Sequence, residues 1–437
     1  MQMKLSYILP LVILSAAGPE RAPAQTLDTT TFVVMGEGLA AGMANFGLSS
    51  VVQSQDFAAL MAAQMGTAME QPLIQPPGIG DVVGYPGQEV QVQKYPQGSV
   101  RQFYLPTDPT KAPISTPPLF VTNVSVPGLT LADSVTMLPV APVVQRGNMK
   151  QTVFNMILGM PQLILNNVPL WTQAQYAQAL FPTVTLIELG YYEALNAAVK
   201  GDPTLLPNPA TFGTTYGGVI AGLRGLQSQV IVTTIPNPLD TAYFNSIQAS
   251  SAIVFTTPFI LQAGYQISPQ DYITRNGLMT IANQFSNRGL SPLPAGSTMS
   301  AATAAAITAG VNALNAQIVS AAKSNGAVVF DLNAFLHNIK VSGTPAGSKS
   351  VNGDYLGGFY SLDGVYPGAT GHALIANALL TLLNSTYHRT FPLVNIPNVA
   401  AADPGVQYLK PLNRRMYTAS SLGLTGQGIS DGREGRE

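Results

Sequence analysis

Three carboxylic acids and one histidine in this sequence stand where they could do chemistry: Glu37, Glu193, Asp363 and His372. The two glutamates come shortly after apolar runs that end in glycine, and Asp363 opens an Asp-Gly turn. Clustered carboxylates of this kind can carry out acid–base chemistry on glycosides, and His372 is a candidate general base. The alternative interpretation is a polar rim of carboxylates around a cleft, without catalysis.

Five short apolar runs are predicted to form the strands that position these residues. They cover residues 31–34, 119–126, 183–189, 229–235 and 327–332. Helical segments lie between them, including an alanine-rich segment over about residues 300–324 with apolar side chains at helical spacing. Strands that alternate with helices predict an α/β fold, a three-layer α/β/α sandwich around a five-stranded parallel sheet. Ligands of such sheets bind beyond the carboxyl ends of the strands, which places a site at residues 36–39.

Two insertions are expected in the single domain that covers residues 25–390. The first, about residues 71–118, is dense in proline. Within it, the alternating segments 89–95 and 100–105 flank a Pro-Gln-Gly-Ser turn and predict a hairpin, interpreted as a small β flap near the site. The second insertion covers about residues 239–298 and has no regular strand and helix pattern.

The composition excludes several classes of partner. The chain has 437 residues, of which 46% are hydrophobic and 9% charged, with 20 basic and 21 acidic side chains and a net charge of -1. This balance lacks the basic surface that attracts nucleic acids or anionic membranes. The absence of cysteine rules out disulfides and thiolate metal sites, and three histidines argue against a histidine-rich metal centre. We therefore expect no nucleic-acid partner, no metal and no other cofactor.

The two ends of the chain differ from the domain between them. Lys4 precedes an apolar run over about residues 5–18, and Ala22-Pro23-Ala24 supplies a small-residue cleavage pattern. These features are typical of a secretory signal peptide over residues 1–24. The run is shorter than the roughly 20 apolar residues that span a bilayer, so we expect cleavage, no membrane span afterwards, and a secreted or periplasmic location. Residues 391–437 are expected to wrap the domain and then fray.

Four sequence blocks, in chain order, resemble those of the secreted SGNH or GDSL-type hydrolases. The first, Gly36-Glu37-Gly38-Leu39, corresponds to the family's Gly-Asp-Ser-Leu, so that Gly38 stands at the position of the nucleophilic serine. The last, residues 363–367, corresponds to Asp-x-x-His-Pro. It keeps Asp363 as the acid of the triad and has Tyr366 at the position of the basic histidine. The resemblance implies the flavodoxin-like SGNH fold and an ester-hydrolase ancestry.

The two middle blocks correspond to the family's oxyanion hole. Residues 123–128 match the block that ends in a glycine whose amide helps to bind the oxyanion, and Gly128 is intact. Residues 190–193 correspond to Gly-x-Asn-Asp, with Tyr192 in the place of the oxyanion asparagine and Glu193 in the place of the aspartate. The resemblance therefore implies one retained and one altered oxyanion donor.

These substitutions predict that ester hydrolysis is lost or strongly impaired. Acyl transfer by this route needs a hydroxyl nucleophile, a base and oxyanion donors. Gly38 offers no nucleophile, and a tyrosine with a reference pKa of about 10 is a poor base at neutral pH. We predict a pseudoenzyme whose cleft binds an acyl or glycan-like ligand. Two alternatives stay open: an active hydrolase rewired through Glu37, Glu193 or His372, and a structural interaction module of the cell envelope.

Overall fold

A parallel β-sheet forms the centre of this protein. The computed structural model describes residues 27–74, 78–79, 82–84, 90–94, 100–103, 120–145, 148–159, 168–287, 289–407 and 409. The signal peptide predicted over residues 1–24, the tail from residue 410 and most of residues 75–119 lie outside the described residues.

The strands and helices follow the predicted α/β alternation. The described strands are β1 (Phe32–Gly36), β2 (Val90–Lys94), β3 (Val100–Phe103), β4 (Val184–Glu188), β5 (Gln229–Thr233), β6 (Phe244–Ser246), β7 (Tyr272–Thr274), β8 (Thr298–Met299), β9 (Val328–Phe330), β10 (Thr344–Ala346) and β11 (Lys349–Val351). The described helices are α1 (Gly38–Ala41), α2 (Ser50–Gln53), α3 (Phe57–Met65), α4 (Leu131–Thr136), α5 (Met149–Ile157), α6 (Gln173–Ala179), α7 (Tyr191–Lys200), α8 (Pro209–Gly225), α9 (Ile247–Ile253), α10 (Pro258–Tyr265), α11 (Arg275–Ser286), α12 (Ala301–Ser324), α13 (Leu332–Ser342), α14 (Ala369–Tyr387), α15 (Ile396–Ala402) and α16 (Pro404–Gln407).

The sheet contains β1, β4, β5 and β9, all parallel and in that order. β1 runs beside β4 from Phe32 opposite Val184 to Gly36 opposite Glu188. Every residue of β1, β4 and β5 is buried. Strands that are covered on both faces are apolar throughout instead of alternating, which is why these runs could be recognised in the sequence. The carboxyl ends of β1 and β4 lie side by side, so Glu188 stands next to the turn that follows Gly36.

A fifth chain segment lies along the outer edge of β1. The amide of Val34 donates to the carbonyl of Thr122 (3.0 Å), and the amides of Val124 and Val126 donate to the carbonyls of Val34 (2.9 Å) and Gly36 (3.1 Å). Between this segment and β1, only Val34 and Asn123 form a β-bridge, so the segment is not a regular strand. With it, the sheet has the order 2-1-3-4-5 of flavodoxin-like folds, as the sequence predicted.

Helices cover the sheet in two layers. α3 packs against α14, whereas α8 packs against α12 and α6 packs against β1. The result is the predicted α/β/α sandwich. In the described part of the chain, no helix has both the length and the apolar character needed to cross a membrane.

Side chains that cap the first turn fix the start of several helices. Asp56 accepts a hydrogen bond from the amide of Ala59 (2.6 Å) at the start of α3. Thr130 forms a capping box at the start of α4, and Ser300 caps α12. Such side chains satisfy amides that have no partner within the helix. The helix starts near residues 130 and 300 are therefore determined by local sequence.

The two insertions contain regular structure. In the first, β2 and β3 pair antiparallel, which confirms the predicted hairpin. The second contains the antiparallel sheet β6-β7-β8 and helices α9 to α11. It has a core of its own, separate from the main one, in which Ile247, Leu261 and Ile273 are buried. The second insertion is thus a small packed unit attached beside the sheet.

Candidate functional site

The turn after β1 has no nucleophilic side chain, and the space for one is already filled. Gly38 is buried and is the first residue of α1. A Cβ atom on Gly38 would lie 2.5 Å from the hydroxyl oxygen of Tyr366 and 2.9 Å from the sulfur of Met43. Tyr366 is itself buried. Its phenol therefore occupies the volume in which any side chain at position 38 would begin.

The carboxylate of Glu37 lies among backbone amides at the same turn. It accepts a hydrogen bond from the amide of Leu39 (2.8 Å), and the amides of Gly38 and Gly128 also donate to it. The hydroxyl of Tyr366 donates to Oε2 of Glu37 at 3.1 Å. Converging backbone amides form an anion-binding concavity, called a nest. In this protein the nest holds a carboxylate of the chain itself.

Gly128 and Tyr192, which belong to separate sequence blocks, are neighbours in the fold. Gly128 has a φ of +77°, a conformation that favours glycine. A Cβ atom on Gly128 would lie 3.7 Å from Cε2 of Tyr192. Tyr192 is in the first turn of α7, and its ring is half-buried. The position that corresponds to the oxyanion asparagine therefore carries an aromatic ring beside the nest.

Tyr192 also lines a groove of about 720 Å³, which we call the Tyr192 groove. One wall is a face of α7 and the other is a face of α11. Residues that define the groove include Tyr192, Asn196, Lys200, Tyr243, Asn276 and Thr280. The groove thus begins beside Gly128 and runs between the main domain and the second insertion.

Glu37, Glu188 and Glu193 form a buried carboxyl cluster. Their exposed fractions are 0%, 1% and 7%. Glu188 accepts hydrogen bonds from the amides of Glu37 and Ala40, both at 3.3 Å, and Glu193 accepts one from the amide of Leu131 at 2.7 Å. Among the described residues, no lysine, arginine or histidine forms an ion pair with these three glutamates. The prediction that Glu37 and Glu193 lie at the polar rim of a cleft is wrong about their position, because both are inside the protein.

Burial determines the protonation of this cluster, since a charged carboxylate loses its hydration there. Burial raises the pKa of Glu37 to about 7, although the amides that donate to it act in the opposite direction. The pKa of Glu193 also rises to about 7 through burial. Burial, followed by the charge of Glu37, raises the pKa of Glu188 well above its usual value. Burial and the charge of Glu37 raise the pKa of Tyr366 well above its usual value of 10. Its phenol is therefore a neutral hydrogen-bond donor and not a base at neutral pH.

The carboxyl cluster is not built as a metal site. In the part of the chain that the structure describes, no group of three or more His, Cys, Asp or Glu side chains could hold a metal ion. Metal binding also requires ionised carboxylates, whereas the raised pKa values of Glu37 and Glu193 favour protonation. The cluster is therefore suited to hydrogen bonding within the protein.

Asp363 holds the last loop of the site in shape. Its Oδ1 accepts hydrogen bonds from the amides of Val365 (2.7 Å) and Tyr366 (2.9 Å), and its Oδ2 accepts one from the amide of Phe46 (3.2 Å). The hydroxyl of Ser361 also donates to it, and burial raises the pKa of Asp363. The residue at the position of the triad acid therefore fixes the backbone that carries Tyr366.

His372 is packed against Phe57. Its Nδ1 accepts a hydrogen bond from the amide of Phe57 (3.3 Å), and the two rings stack with centroids 5.9 Å apart. The imidazole is 2% exposed, and burial lowers the pKa of His372 to about 3. A neutral imidazole whose Nδ1 accepts a hydrogen bond carries its proton on Nε2. His372 is therefore poorly placed to remove a proton from a nucleophile.

Two residues of this region were not singled out in the sequence. Glu188 is the charged last residue of the otherwise apolar run that forms β4, and that position was the signal available for it. Ser361 accepts a hydrogen bond from the amide of Asn45 (2.9 Å) and so ties the loop after α1 to the last loop. No local pattern distinguishes Ser361 from the other serines of the chain.

No family model and no curated protein matches this chain. The similarities found are to solved structures. Three solved structures are similar to 82% of it. They are TesA (12% identity, 99% of that chain, TM-score 0.33), LAE5, an alpha/beta hydrolase enzyme from the metagenome of Lake Arreo, Spain (11%, 95%, 0.33), and phospholipase A1 from Streptomyces albidoflavus NA297 (11%, 100%, 0.35). Because these TM-scores are below 0.5, the fold and site described for this chain rest on its own strands and residues.

Proposed function

We propose that this protein is a secreted or periplasmic, non-catalytic binder of an acyl or glycan-like ligand, built on a hydrolase-like fold. The observation that supports this most directly is the position of the Tyr366 phenol. It fills the volume of any side chain at position 38 and donates a hydrogen bond to Glu37. A substrate carbonyl would meet neither a nucleophile nor a free oxyanion nest at this turn.

The electrostatics of the turn support the same proposal. Oxyanion stabilisation requires amide donors aimed at a position where negative charge develops in the transition state. The amides of Gly38, Leu39 and Gly128 are already engaged with the carboxylate of Glu37. A second negative charge at this place would also be repelled by that carboxylate whenever it is ionised.

The Tyr192 groove supports the ligand-binding half of the proposal. Its volume of about 720 Å³ lies within the roughly 300–1,000 Å³ usual for small-molecule sites. Tyr192 offers aromatic surface, Val199 and Met279 offer aliphatic surface, and Asn196 offers an amide. Such a lining can pack against an acyl chain or a sugar ring and hydrogen-bond to its polar groups.

A rewired hydrolase is the main competing function. It would need one of Glu37, Glu193 or His372 to act as the base on a nucleophile. Glu37 and Glu193 are buried, and the imidazole of His372 is packed against Phe57 with a lowered pKa. These positions favour a ligand-binding protein over a rewired hydrolase. The other alternative, a structural module of the cell envelope, would differ from the ligand-binding protein because it would bind no ligand in the groove.

Turnover of short-chain aryl esters tests the proposal. We expect the purified protein to hydrolyse 4-nitrophenyl acetate and butyrate no faster than buffer at pH 7 and pH 8. Asp363→Ala and His372→Ala variants, checked for folding by circular dichroism, should give the same background rate. Turnover in the parent that disappears in either variant would overturn the proposal in favour of rewired catalysis.

A Gly38→Ser/Tyr366→His variant tests whether the cleft itself is preserved. We expect at most weak ester turnover, because the carboxylate of Glu37 still fills the amide nest. Adding Glu37→Asp shortens this side chain by one methylene and should increase turnover. An equally silent triple variant would show that more than these three side chains separates this protein from an ester hydrolase.

A further inference from the structure

The Tyr192 groove runs along one face of α7, and its two ends carry different side chains. Tyr192, Asn196 and Lys200 follow one another at intervals of four residues, so their side chains lie along the same side of the helix. At 1.5 Å per residue, this line is about 12 Å long. Tyr192 stands at the end beside Gly128, and Lys200 stands at the far end, in the last turn of α7.

Two polar groups along this line, those of Asn196 and Lys200, are available to a ligand. In the described residues, the amide of Asn196 and the ammonium of Lys200 make neither a side-chain hydrogen bond nor an ion pair. The carboxylate nearest to Lys200 in sequence is Asp202, which accepts hydrogen bonds from the amide and hydroxyl of Thr204 (2.9 and 2.6 Å). The charge of Lys200 contributes to lowering the pKa of Asp202, but the two side chains do not form an ion pair. Lys200 is exposed at the groove mouth.

The groove carries a positive charge at one end. Of the described residues that line the groove, Lys200 is the only charged one, and none is Asp or Glu. The buried carboxyl cluster lies beyond the Tyr192 end, where Glu193 is one residue from Tyr192. An anionic group would therefore be attracted to the end of the groove where Lys200 lies.

We infer that the ligand is an elongated molecule with an uncharged body that lies along Tyr192 and Asn196 and a carboxylate or phosphate group that meets Lys200. This inference rests on the proposed function, and it adds the charge of the ligand and its orientation. The body can be a sugar or an acyl chain, since both suit the mixed lining of the groove. The shared feature is the anionic group at the Lys200 end, about 12 Å along the helix from the position of Tyr192.

Calorimetric titration of the full protein with matched probes tests this inference. The sugar arm compares 4-nitrophenyl β-glucuronide with 4-nitrophenyl β-glucoside, and the acyl arm compares decanoate with decan-1-ol. In the arm that matches the natural ligand, we expect the anionic probe to bind about tenfold more tightly than the neutral one. Lys200→Gln should remove this preference. Lys323→Gln should not, although Lys323 is also exposed and in the last turn of a helix, α12.

The outcomes separate this inference from the proposed function. Binding of neutral and anionic probes with equal affinity, or an equal effect of Lys200→Gln and Lys323→Gln, would overturn the inference and leave the binder intact. Failure of all four probes to bind would overturn both the inference and the ligand-binding half of the proposed function.

Discussion

The Gly38→Ser variant is expected to be less stable than the parent, and adding Tyr366→His should recover part of the loss. A Cβ atom at position 38 would lie 2.5 Å from the hydroxyl oxygen of Tyr366, which is closer than two packed atoms can stand. Overpacking of a buried position costs about 1–3 kcal/mol. The smaller imidazole of a histidine at position 366 would free this space.

Tyr366→His alone should also destabilise the fold, by about 2 kcal/mol. It removes the hydrogen bond to Glu37 and the edge-on contact with the ring of Tyr191, whose centroid is 6.3 Å away. Urea unfolding of the parent, both single variants and the double variant gives the coupling between the two positions. Contacting residues show coupling energies of about 0.5–3 kcal/mol, and we expect at least 1 kcal/mol in the direction of recovery.

Gly218→Ser is the matched control for this experiment. Gly218 is also a helical glycine, in α8, but a Cβ atom there would have no atom within 4 Å. Its replacement should change the free energy of unfolding by no more than about 0.5 kcal/mol. Strictly additive losses at positions 38 and 366 would contradict the overlap of their side chains.

Stability should fall as the pH rises from 5 to 8, a second large effect. Burial raises the pKa values of Glu37, Glu193 and Asp56 to about 7 in the folded protein. In the unfolded chain these groups titrate near their ordinary pKa values of 4.5, 4.5 and 3.8. Between the two ranges the folded state binds more protons, so the free energy of unfolding decreases with rising pH. The stabilisation is complete below about pH 4 and is lost as the pH passes through 7.

Each unit of pKa difference corresponds to about 1.4 kcal/mol, so the three groups together should lower the free energy of unfolding by several kcal/mol. His372, whose pKa burial lowers from 6.5 to about 3, acts in the opposite direction below pH 6.5 and offsets part of this change. Urea unfolding at pH 5, 6, 7 and 8 measures this slope. Glu37→Gln, Glu193→Gln and Asp56→Asn should each flatten it. Asp202→Asn serves as the control. Hydrogen bonds from Thr204 lower the pKa of this exposed carboxyl, so it does not titrate between pH 5 and 8. A stability that rises between pH 5 and 8 would show that these carboxyls are ionised in the folded protein.

The sheet could be predicted because its signals are local. β1, β4 and β5 lie in mostly apolar runs, and α4 and α12 begin at capping side chains next to them in sequence. The positions of Gly38, Gly128, Tyr192, Asp363 and Tyr366 followed from the order of the blocks. The structure brings Gly38 next to Tyr366, and Gly128 next to Tyr192.

The burial and the hydrogen-bond partners of the site's side chains could not be predicted, because they depend on contacts between distant parts of the chain. A glutamate in a turn is usually solvated, and only the packing of Tyr366 and the amide of Gly128 around Glu37 makes it an internal group. The burial of Glu188 depends in the same way on the neighbouring strand β1. The separate core of the second insertion also has no local signature, since its residues belong to short elements that pack only in three dimensions.

The hydrogen bond between Tyr366 and Glu37 joins residues 329 positions apart, and this distance sets the order in which the protein can be completed. Chains are made from the amino terminus, and their early parts can collapse before the late parts exist. In the unfolded chain Glu37 is in contact with water and is ionised at neutral pH. Closure of the site therefore includes an uptake of protons from the medium. A compartment more acidic than the cytoplasm would favour the final step of folding, whereas an alkaline one would oppose it.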